Sequence, residues 1–337
     1  MAVIYKSFAL RIVALSFSLM LGVAHGQESS IAINVATAYP ESNFHTQNLL
    51  QYANDVSKAT NGRVNFKIYP AGTLLKQTEI FQGVRSGKVE AGEVLMSSLV
   101  KESPLFAIDS LPFIVSSYDD AFRMWEASKA GIEKALSEKG MQLLYAVPWP
   151  PQNLYSKRVI AMPNDFKGLR MRTYNPATER ISELIGARPV TIQAVDLTSA
   201  IAGGKLDMML TSSSTGVEAA AWSQLRYYYK VNAWIPKNVV FVSKKIFAGL
   251  TEENQKKILE AAHAAEFRGW GLSRSSNASY EAQLAENGVH VETIDPFLRR
   301  YLDRLGENLA RDWLKQAGRD ELMVLLKYTT DRSMKAR

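Results

Sequence analysis

The 337-residue sequence contains no cysteine. That absence removes disulfides, zinc–thiolate and iron–sulfur sites, a cysteine nucleophile and lipid anchoring through an N-terminal cysteine. Histidine is scarce as well. Of the four present, His25 falls in the leader segment discussed below, and His45, His263 and His290 are too far apart for a metal-ligand spacing. No metal and no cofactor are therefore expected. Gly-x-Ser-x-Gly and Walker A motifs are missing, and the run Ser212-Ser213-Ser214 has no partner histidine at a recognisable spacing. Gly269-Trp270-Gly271 begins like a dinucleotide fingerprint, but Arg274 takes the third glycine position and no strand precedes it. No segment approaches the roughly eighteen uninterrupted apolar residues of a membrane helix. Charge is not concentrated either. Lys6 and Arg11 carry two of the net +7, and the remaining +5 is spread without a basic run, which argues against nucleic acid as a partner.

What is present describes a globular chain with ample core, 47% hydrophobic and 22% charged. Its length suggests two or three units at about 100–200 residues each. Residues 1–26 read as a secretory signal. Lys6 and Arg11 mark the charged end, residues 12–24 form the apolar stretch, and Ala24-His25-Gly26 places small residues around a cleavage point near Gly26. The apolar stretch is too short to cross roughly 30 Å of hydrocarbon. The mature, exported chain is expected to begin near Gln27.

From there the pattern alternates. Residues 31–37, 64–69, 91–96 and 141–147 read as strands, and residues 46–60, 75–86 and 118–137 as helices, the last capped by Ser117. Such alternation indicates a parallel or mixed sheet flanked by helices. Pro148-Trp149-Pro150-Pro151 interrupts it as a stiff linker would. A second strand–helix series follows at 154–161, 169–173, 177–185, 189–192, 197–202 and 207–211. Residues 227–234 and 239–242 read as strands on either side of Pro236. From Thr251, a good N-cap, to about Glu286 no proline occurs, and apolar residues recur from Ile258 to Trp270. A helix of that length would measure about 54 Å, against about 30 Å for a small domain. Its apolar stripe implies that it runs along two domains, and Gly269-Trp270-Gly271 is a place for it to bend. Helices at 297–317 and 320–329 close the chain. The expectation is an α/β fold of two lobes with mixed sheets and a long domain-crossing helix. Lobe I takes 27–149 and 238–277, lobe II takes 150–237 and 278–337, and a cleft between them is the favoured place for a small ligand.

The most informative stretch runs from Asn164 to Asn175. A polar turn with Gly168 feeds a short strand in which Arg170 and Arg172 face the same side, roughly 6.6 Å apart. Arg172 lies at the carboxyl end, where open α/β sheets hold ligands. The segment Asp165-Phe166-Lys167-Gly168-Leu169-Arg170-Met171-Arg172 resembles the (D/N)-x-K-G-x-K/R-x-R motif of the solute-binding subunit of tripartite ATP-independent periplasmic (TRAP) transporters, the DctP family. The likeness extends over nearly the whole mature chain. It takes in Phe44, Thr60-Asn61-Gly62-Arg63-Val64, Tyr69-Pro70-Ala71-Gly72-Thr73-Leu74, Leu111-Pro112-Phe113, Ile185-Gly186-Ala187, the AIAGGKLD segment ending at Asp207, and the long helix.

The resemblance implies a non-enzymatic periplasmic protein that closes around an organic anion and delivers it to a membrane permease. It implies that Arg172 binds the ligand carboxylate, for which a guanidinium is well suited as a planar fork of donors that stays charged. Arg170 is then structural to the motif or on the surface. Carried over with it are Asn175; Gln152, followed by Asn153, where sialic-acid binders have a second arginine; and Thr211, where they have an asparagine. Ala194 replaces an aromatic residue. Thr37, Tyr39, Glu93 and Leu95 stand at the crevice, Leu95 in place of an acid. Trp149, Tyr174, Trp222 and Trp234 either wall the pocket or pack in the core. Glu93 is either a ligand acceptor or a salt-bridged acid, and His45 stands equally open. One arginine, amides and aromatic rings point to a small monocarboxylate: a 2-oxo or 2-hydroxy acid, an aromatic acid or a pyroglutamate-like acid. C4-dicarboxylates come second and sugar acids third. Closure is expected to hinge near 148–151, near 234–238 and within the long helix, in a monomer. A hydrolase or lyase would need an acid–base pair that is not found. A sensor ectodomain would need an anchor, and ABC-type binding proteins lack the arginine motif.

Overall fold

The computed structural model describes residues 30–335, so the signal segment lies outside the described residues. Two mixed sheets organise the chain. The first is built from β1 (Ile31–Ala36), β2 (Val64–Tyr69), β3 (Ala91–Leu95), β4 (Met141–Pro148) and a later strand, β10 (Lys237–Ser243). Its order is β2-β1-β3-β10-β4, with β1 parallel to β2 and β3, and β10 antiparallel to both of its neighbours. Helices α1 (Phe44–Ala59), α2 (Gln77–Arg85) and α3 (Tyr118–Glu138) connect these strands. Ser117 caps α3, its side chain accepting from Asp120 N, as expected. Because helices cover both faces, β10 reads as an almost unbroken apolar run, Val239-Val240-Phe241-Val242, all buried.

The second sheet comprises β5 (Asn153–Ser156), β6 (Arg170–Thr173), β7 (Arg188–Thr191), β8 (Met208–Thr211), β9 (Tyr227–Lys230) and β11 (His290–Thr293), in the order β11-β9-β5-β8-β6-β7. Strands β7, β6 and β8 run parallel, and β5 is antiparallel to β8 and β9. Helices α4 (Pro176–Leu184), α5 (Leu197–Ala202) and α6 (Ser213–Glu218) lie among them.

The chain passes between the sheets where the prolines suggested. It leaves β4 through Trp149–Gln152 and returns through 231–236 into β10. The two legs are hydrogen-bonded side by side: Trp149 N to Pro236 O (2.8 Å), Gln152 N to Trp234 O (2.9 Å) and Ala233 N to Gln152 O (2.9 Å). After the short α7 (Lys244–Ala248), α8 (Glu252–Glu286) runs 35 residues without a break, its first turn capped by Thr251. It packs on α1 and β4 at one end and on α6 and β11 at the other. Gly269 serves close approach here: a Cβ would lie 2.4 Å from Val147 Cγ2.

Several expectations are corrected. The segment at 154–161 is strand only as far as Ser156, and 227–234 only as far as Lys230, where positive φ at Asn232 turns the chain into the return leg. Strand β11, helix α6 and the 3₁₀ turns Met96–Leu99 and Pro104–Ser110 had no periodic signal. Helices α9 (Pro296–Gln316) and α10 (Arg319–Lys335) do not both stay with the second lobe. Trp313, Val324 and Tyr328 enter the first sheet's core with Leu105, Trp125 and Ile132, because α10 lies on α3.

Candidate ligand-binding site

Carboxyl ends of parallel strands from both sheets converge on one cavity, the position that open α/β sheets favour for ligands. From the first sheet come Tyr39, beyond β1; Leu95, ending β3; and Trp149, beyond β4. From the second come Arg172 and Tyr174 at the end of β6, Gln193 beyond β7, and Thr211 with Ser212 at the end of β8. The cavity between these walls is small, with a volume of about 40 Å³.

Arg172 decides its chemistry. The side chain is 3% exposed. Nε donates to Ile192 O at 3.0 Å, and the guanidinium carbon sits 4.6 Å from the centre of the Tyr174 ring. Nη1 is buried without a partner, and no acidic side chain pairs with this cation among the described residues. Burial pushes its pKa down to about 10, so it remains charged at neutral pH. A buried cation with an unused donor carries a desolvation penalty that an entering carboxylate relieves. Arg170, two residues earlier, is spoken for: Nε and Nη2 donate to Asp207 Oδ2 (2.9 Å) and Oδ1 (2.7 Å). The second arginine of the motif meets the cavity and the first clamps Asp207 in the AIAGGKLD segment.

Other sequence candidates divide. Gln152, Thr211, Tyr39, Trp149 and Tyr174 line the cavity with Arg172, as do Leu95 and Ala194. Gln152 is largely committed, accepting from Tyr174 Oη at 3.0 Å and donating to Pro150 O at 2.9 Å. Thr37, Glu93 and Asn175 are not among the walls. Glu93 is enclosed behind Tyr39, accepting from Thr37 Oγ1 at 2.6 Å and from Asn238 Nδ2 at 3.1 Å, and burial pushes its pKa up. Asn175 caps α4 by accepting from Thr178 N, and its amide donates to Ser97 Oγ at 2.8 Å. Trp234 and Trp222 pack in the cores of the second sheet instead. His45 is buried between Phe44 and Trp149, and burial pushes its pKa well below the usual value. The walls that were overlooked are Gln77, Gln193, Ser212, Thr215 and Pro236. Gln193 and Ser212 follow β7 and β8, so the strand-end rule that singled out Arg172 would have found both. Ser212, which the sequence offers only as a nucleophile without a partner, caps α6 with its hydroxyl.

Among the described residues no group of acids and histidines could hold a metal, and no helix is long and apolar enough to cross a membrane. A profile of the DctP family, bacterial extracellular solute-binding protein family 7, matches residues 35–313. The chain belongs to this family of TRAP solute-binding proteins. Solved structures agree at the level of the whole fold. DctP7 of Bordetella pertussis, an extracytoplasmic solute receptor binding pyroglutamic acid, is 38% identical with a TM-score of 0.87, over 89% of this chain and 100% of that one. DctP6 of the same organism, also binding pyroglutamic acid, is 37% identical at the same TM-score and coverage. A marine metagenome TRAP protein specific for pyroglutamate is 32% identical with a TM-score of 0.87, over 90% of this chain and 99% of that one. The family and fold are those of two-lobed substrate-binding receptors for carboxylates that work with a membrane permease.

Proposed function

We propose that this TRAP solute-binding protein captures a small cyclic monocarboxylate, pyroglutamate before any other, and hands it to its permease without chemical turnover. It acts as a periplasmic monomer after cleavage near Gly26. The observation that carries this reading is the buried, unpartnered Nη1 of Arg172 in a cavity where no other charged side chain lies among the described walls. One cation matches one carboxylate. A C4-dicarboxylate is a weaker alternative, since a second carboxylate would find no counter-charge, and a sugar acid is weaker because its many hydroxyls would face the rings of Tyr39, Trp149 and Tyr174. Rings of Tyr39, Trp149 and Tyr174 suit a compact ring, while Gln193, Thr211 and Thr215 offer donors and acceptors for a lactam. The similar pyroglutamate receptors support the same choice. A thermal-shift series across organic acids tests it. Ligand at about a hundred times Kd adds about 2.7 kcal/mol to the folded state. Pyroglutamate is expected to give the largest shift, and a larger one from succinate or a hexuronate would refute the choice.

Binding closes the lobes about the paired legs at 149–152 and 231–236. The division follows the sheets, 27–149 with 238–277 against 150–237 with 278–312, and the remainder of the chain rides on the first lobe. Side-chain contacts cross the cleft beside the cavity: among them Asn43 Nδ2 donates to both oxygens of Glu218 (2.8 and 2.9 Å), and Asn175 to Ser97. Burial in the closed form pushes the Glu218 carboxyl up to about 7, with Asn43 only partly offsetting it. Tyr280 of α8 is the titratable group that feels it, and the exposed Glu41 precedes Asn43. Opening returns Glu218 to water and an ordinary carboxyl value. Below pH 7 the closed form therefore holds a proton that the open form lacks, so affinity rises as pH falls through 7 and levels off in the usual carboxyl range. We expect ligand binding about tenfold tighter at pH 5.5 than at pH 7.5, and a flatter profile in Glu218→Gln. Equal slopes in calorimetry would exclude this coupling.

A further inference from the structure

Glu93 does not touch the cavity, yet its carboxyl is enclosed and its bonds lead back to the cavity wall. Asn238 is the link. Nδ2 of its carboxamide donates to Glu93 Oε1 at 3.1 Å, and Oδ1 accepts from Trp149 Nε1 at 2.9 Å and from the Tyr39 hydroxyl at 3.3 Å. Asn238 is itself 1% exposed, at the start of β10 just past the return leg. Tyr39 and Trp149 both wall the cavity and meet edge to face, with ring centres 5.0 Å apart.

We propose that Asn238 is a positioning residue for the ligand: oriented by Glu93, its carboxamide holds the Tyr39 and Trp149 rings in the arrangement that receives the ring of a cyclic acid. The inference rests on the ligand reading above and deepens it. A carboxamide has two chemically different ends. The indole N–H of Trp149 can only donate, so the amide must turn its oxygen toward the rings, which aims its N–H at Glu93. The opposite rotamer would set oxygen against oxygen at Glu93 and N–H against the indole N–H of Trp149. Orientation is thus set by hydrogen-bond polarity and propagates from Thr37 and Glu93 through Asn238 to the wall.

The relay has a consequence for selectivity. Both ring protons are committed away from the ligand, and the Tyr39 oxygen is left facing Gln77 Nε2 at 3.5 Å. This wall therefore offers a ligand ring carbon and no free donor, which receives an apolar ring and rejects a distal carboxylate. The groups around Glu93 fit that role. His45 Nδ1 lies 3.5 Å from Oε1, and its burial favours the neutral ring. Tyr145, on β4, is held protonated by burial beside the same carboxyl.

Two variants test the proposal by titration with pyroglutamate between pH 5 and 8, each compared with wild type at the same pH. In Asn238→Asp two buried carboxyls adjoin, so the second of them ionises only as pH rises well above the usual carboxyl range. With one proton shared, the introduced carboxyl can donate to Glu93 through its O–H while its other oxygen accepts from the rings as the amide does. Asn238→Asp is expected to match wild type near pH 5 and to bind about tenfold more weakly by pH 8, while Asn238→Ala binds about tenfold more weakly throughout. Rescue by protonation is not expected of a residue that merely fills space. An Asn238→Asp deficit that is independent of pH, or an Asn238→Ala affinity equal to wild type, would overturn the proposal. Near-ultraviolet circular dichroism is the second readout. Asn238→Ala should lose the band that Trp149→Phe removes, and an unchanged band would equally overturn it. That readout stands even if wild type binds no pyroglutamate, an outcome that removes the ligand reading alone.

Discussion

Arg172→Ala is expected to weaken carboxylate binding by about 2–5 kcal/mol, roughly 30- to 5,000-fold in Kd. The guanidinium is buried, its Nε anchored to Ile192 O and its face stacked on Tyr174, so it is held in place before the ligand arrives. Little ordering entropy remains to be lost on binding, which is where preorganised sites gain affinity. The same change should leave the empty protein as stable as wild type or more so, because it removes a desolvated cation with an unmatched donor. Arg170→Ala should show the opposite pattern. It breaks the clamp on Asp207, but the pair is part-exposed, with the arginine side chain 41% accessible, so only a small loss of stability is expected and affinity should change only a few-fold. Calorimetry and denaturant melts on the two variants together give a crossed result. Equal losses of affinity would mean that the carboxylate does not sit on Arg172.

The second large effect is on folding. Asp109 and Lys237 are each 1% exposed, with Nζ 3.7 Å from Oδ2. Oδ2 also accepts from the backbone N–H of Lys237 at 2.7 Å, and Oδ1 from Ser110 Oγ at 3.0 Å. Burial pushes the acid's pKa up and the amine's down, against their mutual attraction. Lys237 is the first residue of β10 and Asp109 lies on the 3₁₀ turn Pro104–Ser110, so this pair fastens the end of the return leg to that turn. Asp109→Ala strands the amine and the N–H together and should cost about 3–5 kcal/mol. Asp109→Asn keeps an oxygen for the backbone N–H and should cost about 1–2 kcal/mol. A loss below about 1 kcal/mol for the alanine variant in urea melts would show that the pair does not hold the leg.

Much of this architecture could be read from the chain because its cues are local. A proline-free stretch after Thr251 gives α8 its length, proline-rich and Pro236 segments mark the two crossings, and strand-end position singles out Arg172. What could not be read depends on partners far along the chain. Glu93 and Thr37 stand where ligand residues were expected, but the bond from Glu93 runs to Asn238, 145 positions away. Asn175 meets Ser97 across 78 positions, on a 3₁₀ turn that has no periodic signature. Each is a polar side chain near a strand end, and only the fold decides whether it faces the cavity or a neighbour. The final helix was misplaced for a related reason. Apolar residues in α10 show that it must pack, but not against which of two cores, and Tyr328 and Val324 choose the first sheet's core beside α3.

Everything in the account turns on a guanidinium recognising a carboxylate, so the most direct measurement compares two forms of one molecule. Wild-type protein is titrated calorimetrically with pyroglutamate and with its methyl ester, identical except that the ester has no anionic oxygen pair. A clear exotherm is expected for the acid, and affinity at least about a hundredfold weaker for the ester. Equal affinities would contradict it, for Arg172 would then have no charge to meet.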